Sequence, residues 1–169
     1  TTPGLRIFEK YAFKCGGGVN HRMGLYDAAM IKENHIAWTD NLKNAVQKIR
    51  LNSPFTTHII IEAENIEQAK EAVLAGADSV LLDELSPEII KKNVQELRDL
   101  SINSLKKEVN KNLIIEVSGI NPEEISKYLI KGIDLISTSS SITKSDWIDL
   151  SMRYICLLYT SDAADDVVR

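Results

Sequence analysis

Five short apolar runs in this chain each end on, or just before, a residue able to bind a charged ligand. Ala28–Ile31 is followed by Lys32, Ile59–Ala63 contains Glu62 near its end, and Val80–Leu82 is followed by Asp83. Leu113–Val117 leads into Ser118-Gly119, and Leu135–Ser137 opens the hydroxyl-rich run 137–141 that contains Ser139. If the runs are parallel strands, these groups converge at the strands' carboxyl ends, where α/β folds bind their ligands. Two carboxylates at adjacent strand ends can hold Mg²⁺, which takes one or two carboxylates and fills its shell with water and phosphate oxygens. The competing reading is that Asp83 caps the next helix and Glu62 forms an ion pair. Ser118, Gly119 and Ser139 suit a phosphate, through hydroxyls and backbone N–H groups; a plain polar loop has the same composition. His21 and Arg22 follow a triple glycine and, with Lys32, would form a cationic cluster for carboxylates. A solvated loop with a capping histidine fits the same spacing. His35 and His58 stand alone and read as a loop contact and a strand-entry residue.

The elements that must position these groups follow from periodicity. Leu5, Phe8, Ala12 and Cys15 fall at helical spacing, which predicts a helix over Leu5–Cys15 with Cys15 in the core; Gly16–Gly18 then end it. Asp40 is placed to cap a helix burying Leu42, Ala45, Val46 and Ile49. Ile66, Ala69 and Val73 line a helix that Gly76 stops, and Ser86-Pro87 opens one burying Ile90, Val94 and Leu97. Asn121-Pro122 opens another, bearing Ile125, Tyr128 and Leu129, stopped by Gly132. Gly76-Ala-Asp78 and Gly132-Ile-Asp134 each feed a buried strand. Apolar strands alternating with helices predict parallel βαβ units, hence a barrel or an open doubly wound sheet. No dinucleotide-binding glycine fingerprint follows a strand, which weighs against the open sheet.

A formal net charge of -4 argues against a nucleic-acid partner. No apolar run has the length of a membrane span. The two cysteines, Cys15 and Cys156, make no disulfide framework and no zinc spacing, so a reducing, cytoplasmic setting is expected.

Several stretches together carry a family resemblance: Thr-Pro-Gly-Leu-Arg at 2–6, Glu9-Lys-Tyr-Ala12, the run 15–28 (CGGGVNHRMGLYDA) and Ile31-Lys-Glu-Asn-His-Ile36. With 62–69, 76–83, 118–121 and 134–145 they resemble the nicotinate-nucleotide pyrophosphorylases, or quinolinate phosphoribosyltransferases, across about residues 1–154. The resemblance implies a partial (β/α) barrel of that type, lacking the N-terminal α+β domain. It implies phosphoribosyl transfer from phosphoribosyl pyrophosphate to quinolinate with decarboxylation, giving nicotinate mononucleotide, CO₂ and pyrophosphate in NAD biosynthesis. His21, Arg22 and Lys32 then match the quinolinate-binding residues, with Lys32, Glu62 and Asp83 as the catalytic set. Glu62 and Asp83 match the acidic pair that binds the ribose and its Mg²⁺, and Ser118, Gly119 and Ser139 fall at the 5′-phosphate. A homodimer or larger assembly is implied for the full-length protein.

The chain departs from the family pattern in places. An Arg-Lys pair usually precedes the Thr-Pro-Gly-Leu-Arg stretch, and the printed chain starts after its position. Ile60 stands where many members carry a Glu, Glu84 where Asn is common, and Ile120 where a second glycine is usual. Residues 155–169 have a different texture and read as a non-native tail, leaving 1–154 as an incomplete barrel domain. The expectation is that the isolated chain is inactive. The alternatives are a non-catalytic barrel fragment with open sheet edges, or a member of the molybdenum-associated paralogues; His21-Arg22 together with Lys32 argues against the latter.

Overall fold

The computed structural model describes residues 1–39, 41–105, 112–146 and 148–153. Its centre is a parallel sheet of β1 (Ala28–Ile31), β2 (His58–Ala63), β3 (Ser79–Asp83), β4 (Ile114–Ser118) and β5 (Leu135–Ile136). The spatial order is the chain order, β1-β2-β3-β4-β5. Such an order with right-handed crossovers puts every connecting helix on the same side of the sheet. The packing agrees: Ile59, Ile61, Val80, Leu82, Ile115 and Val117 are fully buried in one cluster with residues of α3 (Leu42–Asn52), α4 (Ile66–Ala75) and α5 (Pro87–Leu105). Each of these strand side chains contributes about 1.5–3 kcal/mol relative to exposure. The opposite face has a much smaller apolar cluster, Ala28, Ile60 and Leu81 with Met30 against it. A sheet with helices on one side and its inner face left for ligands is an arc of a barrel, not a doubly wound sheet. Ile60, one of the departures, fills this inner apolar layer.

The two Gly-x-Asp stretches build the same joint twice. Asp78 donates its N–H to the Ile59 carbonyl, and its carboxylate accepts the Ile59 N–H at 2.7 Å and pairs with Arg50 of α3. Arg50 also donates to the Thr57 carbonyl. Asp134 donates its N–H to Ile115, accepts the Ile115 N–H at 2.8 Å and pairs with Arg98 of α5, which also donates to the carbonyls of Leu113 and Gly132. Each arginine thus ties its helix to the start of the following strand, and each aspartate clamps that strand to the next. Gly76 makes the first joint possible: it ends α4 at φ +89°, a left-handed conformation that other residues enter at a cost.

Helix boundaries follow the expected chemistry in part. Asn65 caps α4 by accepting from the Gln68 N–H, and Ser86 accepts from Ile89 at the start of α5. Asp40 lies outside the described residues; the observed cap of α3 is Asn41, which accepts from Asn44 at 3.1 Å.

Two expectations are corrected. The first helix forms, as α1 (Arg6–Cys15), but none of its residues is buried and Cys15 is exposed. Its spacing marks an apolar face without specifying what covers it, and Phe8 and Tyr11 face outward. The segment after Asn121 is a 3-10 helix over Pro122–Tyr128 instead of an α-helix, and Leu129 is exposed. Its seven residues bury nothing fully, so no continuous apolar face rewards a longer α-helix. Two short helices, α2 (Glu33–Ala37) and α6 (Ser140–Thr143), were not predicted, being too short to show a period. The tail 155–169 falls outside the described residues.

Candidate active site

Lys32, Glu62, Asp83 and Ser118 come together at the carboxyl ends of four adjacent strands. Lys32 directly follows β1, and its Nζ lies 2.7 Å from Glu62 Oε2 on β2. The Glu62 carboxylate beside it holds the Lys32 ammonium above its ordinary pKa, against the opposing pull of burial; Asp83 adds to the same effect. Asp83 ends β3 in register with Ser118 at the end of β4, and the Ser118 hydroxyl donates to the Asp83 carboxylate. Of the competing readings for the acidic pair, the ion pair of Glu62 is present, whereas the helix cap near Asp83 falls to Ser86. The cluster presents one cation, two carboxylates and a hydroxyl to the same opening.

The loop after α1 is pinned to that helix. Lys10 donates to the His21 carbonyl, Asn20 donates to the Lys10 carbonyl, and Arg6 donates to the Met23 carbonyl. From there the His21 ring reaches the inner face of the sheet, its Nε2 lying 3.4 Å from Glu116 Oε2 of β4. The Arg22 guanidinium donates to the carbonyl of Ala28, the first residue of β1. Arg22 and Lys32 therefore sit toward opposite ends of that strand, about 13 Å apart along it at a rise of about 3.3 Å per residue. Of the three cations, Lys32 joins the acidic pair, Arg22 is tied to the start of β1, and His21 meets Glu116, which stands in register with Glu62 through Leu81 of β3.

Ser118, Gly119 and Ser139 divide similarly. Ser118 belongs to the cluster. Gly119 follows at φ +72°, and a Cβ there would stand 3.1 Å from the Glu84 backbone nitrogen, so only glycine lets the two loops meet. Ser139 is exposed at the start of α6, its carbonyl accepting from Ile142 and Thr143. Ile120, where the family has a second glycine, is buried in the core under the loop. Glu84 is held at φ 54° by its N–H donating to the Ser118 carbonyl, the sole positive φ outside glycine among the described residues. That conformation favours Asn and Gly, which explains why Asn suits the position better. Glu84→Asn is expected to stabilise the fold by about 0.5–1 kcal/mol, seen as a higher melting temperature; an unchanged or lower one would show that the strain is relieved elsewhere.

The residue that sequence reasoning missed is Glu116. It is 3% exposed, in the middle of β4, and its strand neighbours Ile115 and Val117 point into the helix-side core. The signal was present: a lone carboxylate alternating with apolar residues in the run Ile-Ile-Glu-Val. His58, at the start of β2, makes a 2.5 Å contact with Ser79 of β3 beside it, and His35 accepts the Lys32 N–H at 3.1 Å. His58 has the strand-entry position expected of it, whereas His35 lies in α2 and not in a loop, bonding back to the residue that caps that helix. Among the described residues no helix is long and apolar enough to cross a membrane.

The model of the quinolinate phosphoribosyl transferase C-terminal domain matches residues 1–153. The chain belongs to this family. Relatives named as carboxylating nicotinate-nucleotide pyrophosphorylases share the likeness: the protein of Methanothermobacter thermautotrophicus is 41% identical over 154 residues, 90% of this chain and 53% of the relative. That of Synechocystis sp. is 37% identical over 156 residues, 92% of this chain and 50% of the relative. Among solved structures, the nicotinate-nucleotide pyrophosphorylase of Francisella tularensis superimposes with a TM-score of 0.71 at 36% identity, covering 89% of this chain and 49% of that one. The chain thus spans about half the length of the curated quinolinate phosphoribosyltransferase-family relatives it matches.

Proposed function

We propose that this chain is the barrel half of an enzyme that joins quinolinate to phosphoribosyl pyrophosphate and releases CO₂ and pyrophosphate. The observation that carries the reading is the junction of Lys32, Glu62, Asp83 and Ser118 at one end of a parallel barrel arc, in a chain of this family. Lys32 offers a cation to a quinolinate carboxylate, with His21 and Arg22 reaching in from the inner face. Glu62 and Asp83 face the ribose, and Ser118, Gly119 and Ser139 serve the 5′-phosphate.

The chemistry asks for this set. The lone pair of the pyridine nitrogen forms a bond to the ribose anomeric carbon as the bond from that carbon to pyrophosphate breaks. Carboxylates nearby stabilise the positive charge that builds on the sugar. The ring nitrogen is then cationic, and as the C–CO₂ bond breaks its electron pair stays on the adjacent ring carbon, stabilised by that charge; CO₂ leaves and a proton takes its place on carbon. No covalent enzyme nucleophile is needed.

The donor set also suits Mg²⁺, since Glu62 and Asp83 are hard oxygen ligands. Among the described residues no group of three or more His, Cys, Asp or Glu side chains is poised as a complete metal site. Two carboxylates fit an ion that arrives with phosphate oxygens of its own. When bound, the ion would offset charge on the departing pyrophosphate. A cytoplasmic enzyme acting as a homodimer or larger assembly is part of the same proposal; the substrates are multiply charged anions that do not cross membranes unaided. The test is whether quinolinate, in the presence of Mg²⁺, raises the melting temperature of the chain where nicotinate does not.

A further inference from the structure

Glu116 sits below the cluster just described, on the inner face of the barrel arc, and it meets polar groups from three directions. His21 of the glycine-rich loop faces its carboxylate, Ser137 after β5 hydrogen-bonds to it, and His58 of β2 acts on it electrostatically. His21 is held from both sides. Its Nδ1 accepts the Arg22 N–H at 2.8 Å, so the ring proton lies on Nε2, which faces Glu116 at 3.4 Å. With the Arg22 guanidinium tied to Ala28, the ring is the strut that connects this loop to β4. Two residues further along, β4 ends in Ser118.

We infer that Glu116 is a positioning residue: it fixes the orientation and tautomer of His21 and so sets where the His21-Arg22 loop stands relative to the strand ends. A carboxylate behind a histidine fixes which ring nitrogen carries the proton. A buried carboxylate beneath a site for a dianion repels the ligand less when hydrogen-bond donors face it, as the His21 Nε2–H and the Ser137 hydroxyl do here. His21 is the exposed half of the pair, 33% against 3%, so the ring carries the link from the interior to the opening. The inference rests on the quinolinate reading only where it concerns ligand affinity.

The test uses the full 169-residue chain with ¹⁵N-labelled histidine. At alkaline pH the unsubstituted chain is expected to show a single His21 tautomer, with the proton on Nε2 and slow exchange of that proton. Glu116→Gln keeps an acceptor oxygen and is expected to retain both features. Glu116→Met keeps the bulk without the acceptor; the Nε2 proton is expected to exchange at least about tenfold faster, with quinolinate binding about tenfold weaker. The signals of His35 and His58 report in the same spectra whether the fold is intact. An intact fold with His21 signals unchanged in Glu116→Met would overturn the inference. Should that variant fail to fold, His21→Ala, in the part-exposed loop, decides: the Glu116 carboxyl ¹³C signal is expected to move, and an unmoved signal would overturn the link. If the unsubstituted chain ignores quinolinate but shows the fixed tautomer, the proposed ligand fails and the positioning role stands.

Discussion

Lys32→Met is expected to weaken quinolinate binding by about a hundredfold. Lys32 contributes twice: it offers a cation to the ligand, and it neutralises Glu62, whose side chain is 11% exposed. A hydrogen bond to a charged ligand group contributes about 1.5–3 kcal/mol, and the Glu62 charge left behind adds only about 1 kcal/mol, because Lys32 is 44% exposed and water screens the pair. Here that remaining charge is negative and faces an incoming dianion, so the loss falls on binding. Lys32→Arg keeps the charge, and is expected to recover part of the affinity, because the guanidinium fork differs in shape from an ammonium. Calorimetric titration of quinolinate into the three proteins reads the difference. Equal affinity in Lys32→Met would remove Lys32 from the site.

The second large effect is on stability. Asp78→Ala is expected to cost about 2–4 kcal/mol, since it leaves the buried Ile59 N–H without its acceptor and the part-exposed Arg50 guanidinium without its carboxylate. Asp134→Ala breaks the equivalent joint, but its carboxylate is 43% exposed, where water can replace it. Its cost is expected to be about 1–2 kcal/mol. Denaturant unfolding of both variants gives the comparison, and equal costs would contradict the argument from burial. Glu116 adds a pH dependence. Burial pushes its carboxyl upward, but hydrogen bonds from His21 and Ser137 and the charges of His21 and His58 outweigh burial and hold it below the ordinary glutamate value. A carboxyl lowered by folding stabilises above its unfolded pKa of about 4.3, and that contribution fades as pH falls through the lower folded value. The melting temperature is therefore expected to fall more steeply below about pH 4.3 in the unsubstituted chain than in Glu116→Gln.

The strands were legible because each is a short apolar run of β-branched residues closed by a polar group, and Lys32, Glu62, Asp83 and Ser118 were legible as those closing groups. Periodicity alone left the barrel open, since alternating strands and helices allow two windings; the missing glycine fingerprint and the family resemblance pointed to it, and the consecutive strand order bears it out. The repeated Gly-x-Asp was visible as a pattern, yet its meaning depends on Arg50 and Arg98, each tens of residues away along the chain. The face of α1 misled because helical spacing carries no information about what covers it. The contact of Arg22 was not legible, because adjacency in sequence says nothing of which end of a strand a long side chain reaches; Arg22 turns back to Ala28. Glu116 escaped notice because a strand residue's role depends on which face it takes, and the inner face is defined only once neighbouring strands are paired.

A thermal-unfolding scan with Mg²⁺, comparing quinolinate with nicotinate, tests the central claim most directly. At a quinolinate concentration of about a hundred times Kd, binding adds about 2.7 kcal/mol, which raises the melting temperature of a domain this size by roughly 5–10 °C. That rise is expected with quinolinate and little or none with nicotinate, which lacks the second carboxylate. A cooperative melt that moves equally with both ligands, or with neither, would contradict a dicarboxylate site in this chain.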